Sequence, residues 1–243
     1  MYFSWIIPTY NAEKIIAKTL REVDAYLKSR ALAGGYEIIV AYSKSKDHTA
    51  EIVKNLQTQI PALKFLDLEN KGKGWAVKQG MLRAQGEIRI FSDADNSTAP
   101  EYFDAMLPFF QKGFNIVMSS RHPKDASGAS RDVKEPMLRE LLGGMGNLII
   151  QFLGVWGIWD TQNGFKAFSA VSAQKLFGMS RMCGFAFDVE ILALARLLKY
   201  QIAIIPIRWK YGPESTVTFK DYLKFFVDVF KIRWFLLTNI YKL

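Results

Sequence analysis

The sequence predicts an α/β fold built on a mostly parallel sheet with helices on both faces. Through residues 1–120, short apolar runs alternate with amphipathic stretches of helical period, which is the order that builds parallel sheets. The apolar runs are continuous rather than alternating, and this indicates strands buried on both faces. Half of the 243 residues are hydrophobic, so the chain can bury one sizeable core.

Runs of apolar, β-branched and aromatic residues are the predicted strands. They cover residues 3–7, 36–42, 63–66, 87–91, 115–118 and 202–207. The first helix, over residues 12–30, carries Ile16, Leu20 and Val23 near helical spacing and has Asn11 as its N-cap. Asp47 is expected to cap a second helix. Further helices are predicted over residues 74–84, 100–111, 137–159, 188–200 and 218–243, and the polar residues 122–134 predict a mobile loop or lid.

The charge and the cysteine content narrow the function classes. The net charge of +9 favours anionic partners such as phosphorylated substrates or anionic lipid. The sequence has neither zinc-finger spacing nor a basic region followed by heptads, which argues against nucleic acid. The single cysteine, Cys183, excludes an intramolecular disulfide and a cysteine-based zinc site, and favours a reducing, cytosol-facing compartment. No run reaches the roughly 18–20 apolar residues that span a bilayer, so we expect no transmembrane helix.

The candidate site lies where the predicted strands end. Ligands of parallel sheets bind beyond the carboxyl ends of the strands, and polar residues follow the strands at 8–13, 43–47, 92–96 and 120–121. Asp93 and Asp95 are two carboxylates spaced for one turn, and such oxygen ligands suit Mg²⁺ or Mn²⁺ bridging to phosphates. The alternative is a solvated acidic turn or a helix cap.

A glycine-rich turn precedes one of the predicted helices. Residues 70–74 read NKGKG, and glycines with two lysines at a helix N-terminus favour a bound anion. The turn lacks the pattern of a phosphate-binding NTPase loop. An ordinary surface turn is the alternative.

These segments belong to a series of short motifs in a fixed order. They are residues 7–11 (IPTYN) with Glu13, 70–74, 86–87 (GE) with 93–95 (DAD), 119–121 (SSR), 160–166 (DTQNGFK), 187–190 (FDVE) and 207–209 (IRW). In this order they resemble the family 2 glycosyltransferases, and within them the dolichyl-phosphate glucosyltransferases and related polyprenyl-phosphate hexosyltransferases. The resemblance covers nearly the whole chain.

The resemblance implies a GT-A fold that binds a nucleotide sugar and a divalent metal, Mg²⁺ or Mn²⁺. The residues matched to nucleotide-sugar binding are Pro8, Tyr10, Glu13, Lys73, Asp93, Ala94, Asp95 and Gln162. Those matched to the acceptor phosphate are Arg121, Arg139, Lys166 and Arg208. Asp93 and Asp95 would hold the metal, and catalysis is expected of Asp95, Asp160 and Arg121.

Several positions depart from the family pattern. The family's two aspartates after the second strand are replaced by Tyr42 and Ser43, so the acidic group that would read the base or ribose is missing. Asn163 stands where the family has cysteine, and Gly184 and Phe185 replace an Arg-Trp pair.

The implied reaction is inverting transfer of a hexose from a nucleotide sugar to a polyprenyl phosphate. UDP-glucose is the favoured donor and GDP-mannose the alternative. Because a phosphate monoester is largely ionised near pH 7, its second pKa being ~6, it needs little help from a general base. Two other functions stay open: transfer to a glycan hydroxyl with Asp160 or Asp188 as base, and a non-catalytic nucleotide-sugar-binding scaffold.

The C-terminal part predicts contact with a membrane surface. Residues 211–243 mix aromatic side chains with lysine and arginine, as interfacial helices do, and residues 148–159 form a second apolar segment. We expect a GT-A domain over residues 1–210, followed by an amphipathic segment over 211–243. The protein would lie peripherally on the cytoplasmic face of a membrane.

Overall fold

A computed structural model describes residues 1–31, 34–131, 147–153, 155–209 and 219–242. The strands are β1 (Phe3–Thr9), β2 (Tyr36–Ser43), β3 (Leu63–Leu68), β4 (Ile88–Ser92), β5 (Ile116–Ser120), β6 (Ser130–Arg131), β7 (Phe165–Ser169), β8 (Ile202–Pro206) and β9 (Arg208–Trp209). Seven of them form one sheet in the order β3-β2-β1-β4-β7-β5-β8. Every pairing in it is parallel except those of β7, which runs antiparallel to β4 and β5. The predicted α/β fold with a mostly parallel sheet is confirmed.

Helices cover both faces of this sheet. They are α1 (Ile16–Ser29), α2 (Thr49–Gln57), α3 (Lys73–Arg83), α4 (Leu107–Gln111), α5 (147–153), α6 (Ala170–Met179), α7 (Phe187–Leu197) and α8 (Phe219–Leu237), with a 3-10 helix at Pro100–Ala105. One core cluster joins the sheet to α1, α2 and the 3-10 helix, and the other joins it to α3, α6, α7 and α8. The small β6–β9 pair lies beyond the ends of β5 and β8, since the backbone N–H of Ile207 bonds to the carbonyl of Ser120 at 3.0 Å.

Three local predictions are corrected by the structure. Asn11 does not cap α1: it has φ 46°, a conformation that asparagine tolerates, and its side chain accepts the backbone N–H of Lys46 at 3.2 Å. Residues 100–111 form two short helices, because Pro108 has no N–H with which to continue the first. Residues 155–159 are not helical, since Gly157 turns with φ 80° and its N–H bonds to the side chain of Gln151.

Other predictions fall wholly or partly outside the described residues. These are Arg139, residues 137–146 of the predicted long helix, residues 132–134 of the predicted loop and residues 210–218 before α8. Within the described part of the chain, no helix is both long enough and apolar enough to cross a bilayer.

Candidate active site

The ends of β1 and β2 are tied together by a network of side-chain bonds. Glu13 accepts the backbone N–H of His48 at 3.0 Å, and Asp47 accepts the backbone N–H of Glu13 at 3.1 Å. Pro8 is partly buried at the end of β1, and Tyr10 is exposed just beyond it. The predicted nucleotide residues of this loop therefore lie at the carboxyl edge of the sheet, with the Glu13 carboxylate engaged at the start of α2.

The substituted pair at the end of β2 is buried. The hydroxyl of Tyr42 accepts the backbone N–H of Ser45 at 2.9 Å, and its ring packs on Phe65 with a centroid separation of 5.2 Å. Ser43 follows it inside the same strand. Two neutral side chains thus occupy the position at which relatives were expected to carry carboxylates.

The acidic pair lies at the end of β4, against the 160–166 turn. The backbone N–H of Asp93 bonds to the carbonyl of Gly164 at 3.1 Å. The carboxylate of Asp93 lies so close to the α-carbon of Gly164 that a β-carbon there would overlap it. Asp95 is exposed, and one of its oxygens accepts the backbone N–H of Ser97 at 3.0 Å. The structure therefore brings the two sequence motifs into direct contact.

Lys73 completes this edge from the glycine-rich turn. Its ammonium lies 2.5 Å from Oδ1 of Asp93. Burial lowers the pKa of Lys73, but the nearby carboxylates of Asp93, Asp188 and Asp95 outweigh that effect, so the pKa lies above its usual value. A lysine whose ammonium form is favoured in this way, at a helix N-terminus, can contact a diphosphate.

Lys166 lies deeper, in the core below the same edge. It is 1% exposed, its ammonium is 2.6 Å from the Asp188 carboxylate, and it also donates to the carbonyl of Asn163. Burial raises the pKa of Asp188 despite the opposing charges of Lys166 and Lys73. These contacts hold the 160–166 turn, and a role for Lys166 in binding acceptor phosphate stays a prediction.

Arg121 and Asp160 form a two-point ion pair at the end of β5. Nη2 of Arg121 lies 2.7 Å from Oδ1 and Nε lies 2.8 Å from Oδ2, while the backbone N–H of Arg121 also donates to Oδ2 at 2.7 Å. Asp125 supports the pair, because its carboxylate accepts the backbone N–H groups of Trp159 and Asp160 at 2.7 and 2.8 Å. The sequence analysis missed Asp125, which no motif marks.

The remaining predicted acceptor residues lie around this pair. The Trp209 ring lies beneath the Arg121 guanidinium, 5.2 Å from its carbon, and Arg208 is exposed beside it. Gln162 is exposed on the 160–166 turn. The site thus has two parts. The donor side is formed by Lys73, Asp93 and Asp95, and the arginine-bearing side by Arg121 and Asp160.

A metal at this edge would rely on few protein ligands. Among the described residues, no group of three or more histidine, cysteine, aspartate or glutamate side chains comes together. Asp93 and Asp95 supply carboxylate oxygens, the type of ligand that Mg²⁺ prefers. One or two carboxylates suffice for Mg²⁺ when substrate phosphates and water fill its other coordination positions. The residues present therefore fit a cation that binds together with a nucleoside diphosphate.

The fold brings a cluster of lysine, arginine and aspartate side chains to the carboxyl edge of an α/β sheet, where folds of this class bind their ligands. The chain belongs to glycosyl transferase family 2, whose family model matches residues 4–177. It is accordingly a glycosyltransferase.

Its relatives include dolichyl-phosphate beta-glucosyltransferases from several organisms. One from Trichomonas vaginalis is 34% identical over 242 residues, covering 96% of this chain and 71% of the relative. That of Dictyostelium discoideum is 33% identical and covers 100% of this chain and 77% of the relative. The human protein is 31% identical, and the match covers 99% of this chain and 77% of the relative.

Solved structures share the fold at lower identity. Mannosyl-3-phosphoglycerate synthase from Rubrobacter xylanophilus superposes with a TM-score of 0.70 and 16% identity, over 100% of this chain and 76% of that one. A second match is glucosyl-3-phosphoglycerate synthase from Mycobacterium tuberculosis, solved with Mn²⁺, uridine diphosphate and phosphoglyceric acid. Its TM-score is 0.66 and its sequence identity 17%, over 95% of this chain and 76% of that one. These similarities establish the GT-A-like fold.

Proposed function

We propose that this enzyme transfers glucose from UDP-glucose to dolichyl phosphate, with inversion at the anomeric carbon. The observation that carries the proposal is the contact of Lys73 with Asp93, which packs on Gly164. Gly164 belongs to the same 160–166 turn as Asp160, the partner of Arg121. The sugar and the acceptor follow the names of the relatives, and the nucleotide follows the solved glucosyl-3-phosphoglycerate synthase that holds uridine diphosphate.

The donor side is arranged for a leaving diphosphate. Lys73 lies at the N-terminus of α3, where the helix dipole adds to its charge. Asp93 and Asp95 follow β4, and the charges of both act on Lys73. They would hold Mg²⁺ or Mn²⁺, which supplies neutralisation of the diphosphate charge when bound. Pro8, Tyr10 and Glu13 at the neighbouring strand end would contact the nucleoside.

The acceptor side favours a phosphate over a hydroxyl. Asp160 receives N–H donors on both oxygens, so its lone pairs are occupied in orienting Arg121. Asp188 is bonded to Lys166 inside the core. Neither carboxylate is placed as a ready base for a hydroxyl, whereas an ionised phosphate needs none.

The bond changes are then simple. A phosphate oxygen of the acceptor attacks the anomeric carbon, the bond from that carbon to the diphosphate oxygen breaks, and the diphosphate leaves with the electron pair. No proton has to move. Arg121 would hold the acceptor phosphate, with Arg208 near it, and Lys73 would stabilise the charge that develops on the leaving group.

A lipid acceptor requires contact with a membrane, and α8 presents a surface for it. Exposed apolar side chains recur along the helix with alternating spacings of four and three residues, at Leu223, Val227, Phe230, Trp234 and Leu237. They fall within roughly 80° of arc on a helix of 3.6 residues per turn. Lys224 and Lys231 lie on one flank and Arg233 on the other, all exposed. This is the pattern of a helix lying in an anionic membrane surface.

A second exposed apolar group lies on and after α5. Leu148, Phe152 and Trp156 are all exposed, and the rings of Phe152 and Trp156 meet edge to face at 6.3 Å. We propose that both groups contact the cytoplasmic face of a membrane, whose anionic lipids attract a chain of net charge +9.

The test is transfer of labelled sugar into the lipid phase. The purified protein is incubated with dolichyl phosphate in detergent, Mg²⁺ or Mn²⁺, and labelled UDP-glucose or GDP-mannose. Transfer from UDP-glucose that is lost in Asp95→Asn supports the proposal. Transfer from GDP-mannose alone contradicts the donor, and binding of UDP-glucose without transfer to any acceptor favours the scaffold function.

A further inference from the structure

Glu190 is a buried carboxylate that collects bonds from two distant parts of the chain. It is fully buried in α7 and accepts the backbone N–H groups of Arg181 at 2.8 Å and Met182 at 2.9 Å. It also accepts the hydroxyl of Tyr241, which follows α8, at 2.7 Å. Burial raises the pKa of Glu190, although the hydrogen bonds that it accepts act in the opposite direction. Burying a carboxylate costs more free energy than burying an apolar side chain of similar size. We therefore attribute to Glu190 the ordering of the groups that donate to it.

The segment that Glu190 holds is the support of the glycine-rich turn. The backbone N–H of Trp75 bonds to the carbonyl of Cys183 at 3.1 Å. Gly74 packs so closely that a β-carbon there would lie 2.8 Å from the carbonyl oxygens of both Met182 and Gly184. Gly72, with φ 111°, approaches the Cys183 carbonyl in the same way. Lys73 lies between these two glycines, so its position depends on residues 182–184.

A continuous set of contacts thus joins the end of α8 to the donor side. It runs from Tyr241 to Glu190, from Glu190 to the backbone of residues 181–182, and from residues 182–184 to the turn that carries Lys73. A second contact strengthens the first step, since the guanidinium of Arg181 donates to the carbonyl of Ile240 at 3.3 Å.

We propose that Tyr241 and Glu190 are positioning residues for the donor diphosphate: their hydrogen bond holds residues 181–184, and through them the Lys73 turn, in the geometry that binds the nucleotide. The step to the nucleotide rests on the proposed function. Because Tyr241 lies four residues after the end of α8, the helix that carries the exposed apolar side chains is linked to the donor site.

The test compares Tyr241→Phe with Tyr26→Phe. Both substitutions remove a hydroxyl that donates to a carboxylate from a buried ring, but Tyr26 bonds to Asp104 at 2.8 Å in the other core cluster. Amide hydrogen exchange of residues 71–76 reports on the turn, and calorimetric titration with UDP and Mn²⁺ reports on the donor site. Because the substitution removes a hydrogen bond to a charged group, we expect UDP affinity to fall about 10-fold.

We expect Tyr241→Phe to speed exchange at Trp75 and to weaken UDP binding, while kcat at saturating donor changes little and Tyr26→Phe leaves both unchanged. Unchanged exchange in Tyr241→Phe would overturn the link to the turn. Faster exchange with undiminished UDP affinity would overturn its role in donor binding. If the unaltered protein bound no UDP although exchange responded as expected, the donor assignment would fail and the structural link would stand.

Discussion

The guanidinium of Arg121 binds both carboxylate oxygens of Asp160, at 2.7 and 2.8 Å, and so its direction is fixed. A two-point pair of this kind sets the plane of the guanidinium as well as its position. The ring of Trp209 beneath the guanidinium restricts it further. Orientation in advance lowers the cost of holding a phosphate at the reacting distance.

Arg121→Lys tests this pair. Lysine keeps the charge but cannot form two parallel hydrogen bonds to the carboxylate. Loss of one hydrogen bond to a charged group costs about 1.5–3 kcal/mol, which corresponds to a fall of about 10- to 100-fold in kcat/KM for the acceptor. Steady-state kinetics with dolichyl phosphate varied at saturating UDP-glucose measures it. Arg30→Lys, which alters a surface arginine paired with Asp104, is the control and should leave kinetics unchanged. A rise in donor KM alone would contradict the assignment of Arg121 to the acceptor.

Gly164→Ala tests the contact between the two motifs of the donor side. A β-carbon at residue 164 overlaps the Asp93 carboxylate, so the carboxylate must shift and its contact with Lys73 is disturbed. We expect a loss of at least about 10-fold in kcat/KM with UDP-glucose, the size found when an electrostatic group is displaced, and weaker Mn²⁺-dependent UDP binding by calorimetry. Gly178→Ala in α6 is the matched control, since nothing lies within 4 Å of the added carbon there. Equal activity of Gly164→Ala and Gly178→Ala would show that the close contact between Gly164 and Asp93 is not needed for donor binding.

The exposed side chains of α8 predict membrane binding. Phe230→Glu with Trp234→Glu should reduce sedimentation with phosphatidylserine-containing vesicles by at least about 10-fold, because each large apolar side chain contributes roughly 1.5–3 kcal/mol when buried. Activity toward a short, water-soluble polyprenyl phosphate should remain. Val171→Glu alters a side chain that is 73% exposed at the start of α6, and should not affect vesicle binding. Equal losses in the two proteins would indicate a charge effect without a specific surface.

A pH effect on stability is expected from Glu37. Burial raises the pKa of this glutamate, but bonds from Lys64, Ser4 and the backbone of Gln85 outweigh it and leave the pKa below its usual value of 4.5. Because the folded protein holds the proton less tightly than the unfolded chain, the stabilisation is complete above pH 4.5 and is lost as the pH falls through the lowered pKa.

Urea unfolding of Glu37→Gln checks this. The variant should be less stable than the original protein at pH 7, and the difference should shrink as the pH is lowered below 4.5. Glu51→Gln, at a 70%-exposed position paired with His48, is the control and should follow the original protein throughout. A difference that stays constant with pH would contradict the assignment.

Much of the fold is readable from the sequence, because buried strands appear as continuous apolar runs. β1, β2, β4 and β5 match the predicted runs closely, as does α3. α1 begins four residues after the predicted start at residue 12, and α7 ends three residues before the predicted end at residue 200. β7 and α6 were missed. β7 reads FKAFS, with a lysine in the middle of a buried strand, and its antiparallel place between β4 and β5 depends on partners far away in the chain.

The sequence supplied candidate site residues but not the contacts between them. The motifs named Lys73, Asp93 and Arg121, yet neither spacing nor charge shows that Lys73 faces Asp93 or that Arg121 faces Asp160. The positions of Lys166 inside the core and of Glu190 beneath residues 181–182 arise from tertiary packing. Local sequence carries little information about such long-range pairs.

The central claim, a phosphate acceptor that needs no protein base, is tested most directly by comparing two lipids that differ only in that group. Labelled UDP-glucose is supplied with Mg²⁺ or Mn²⁺ and either dolichyl phosphate or dolichol, with Asp95→Asn as the inactive control. We expect glucosylated lipid from dolichyl phosphate and none from dolichol, because only the ionised phosphate can attack without a protein base. Transfer to dolichol at a comparable rate, or transfer only to a glycan hydroxyl, would contradict it.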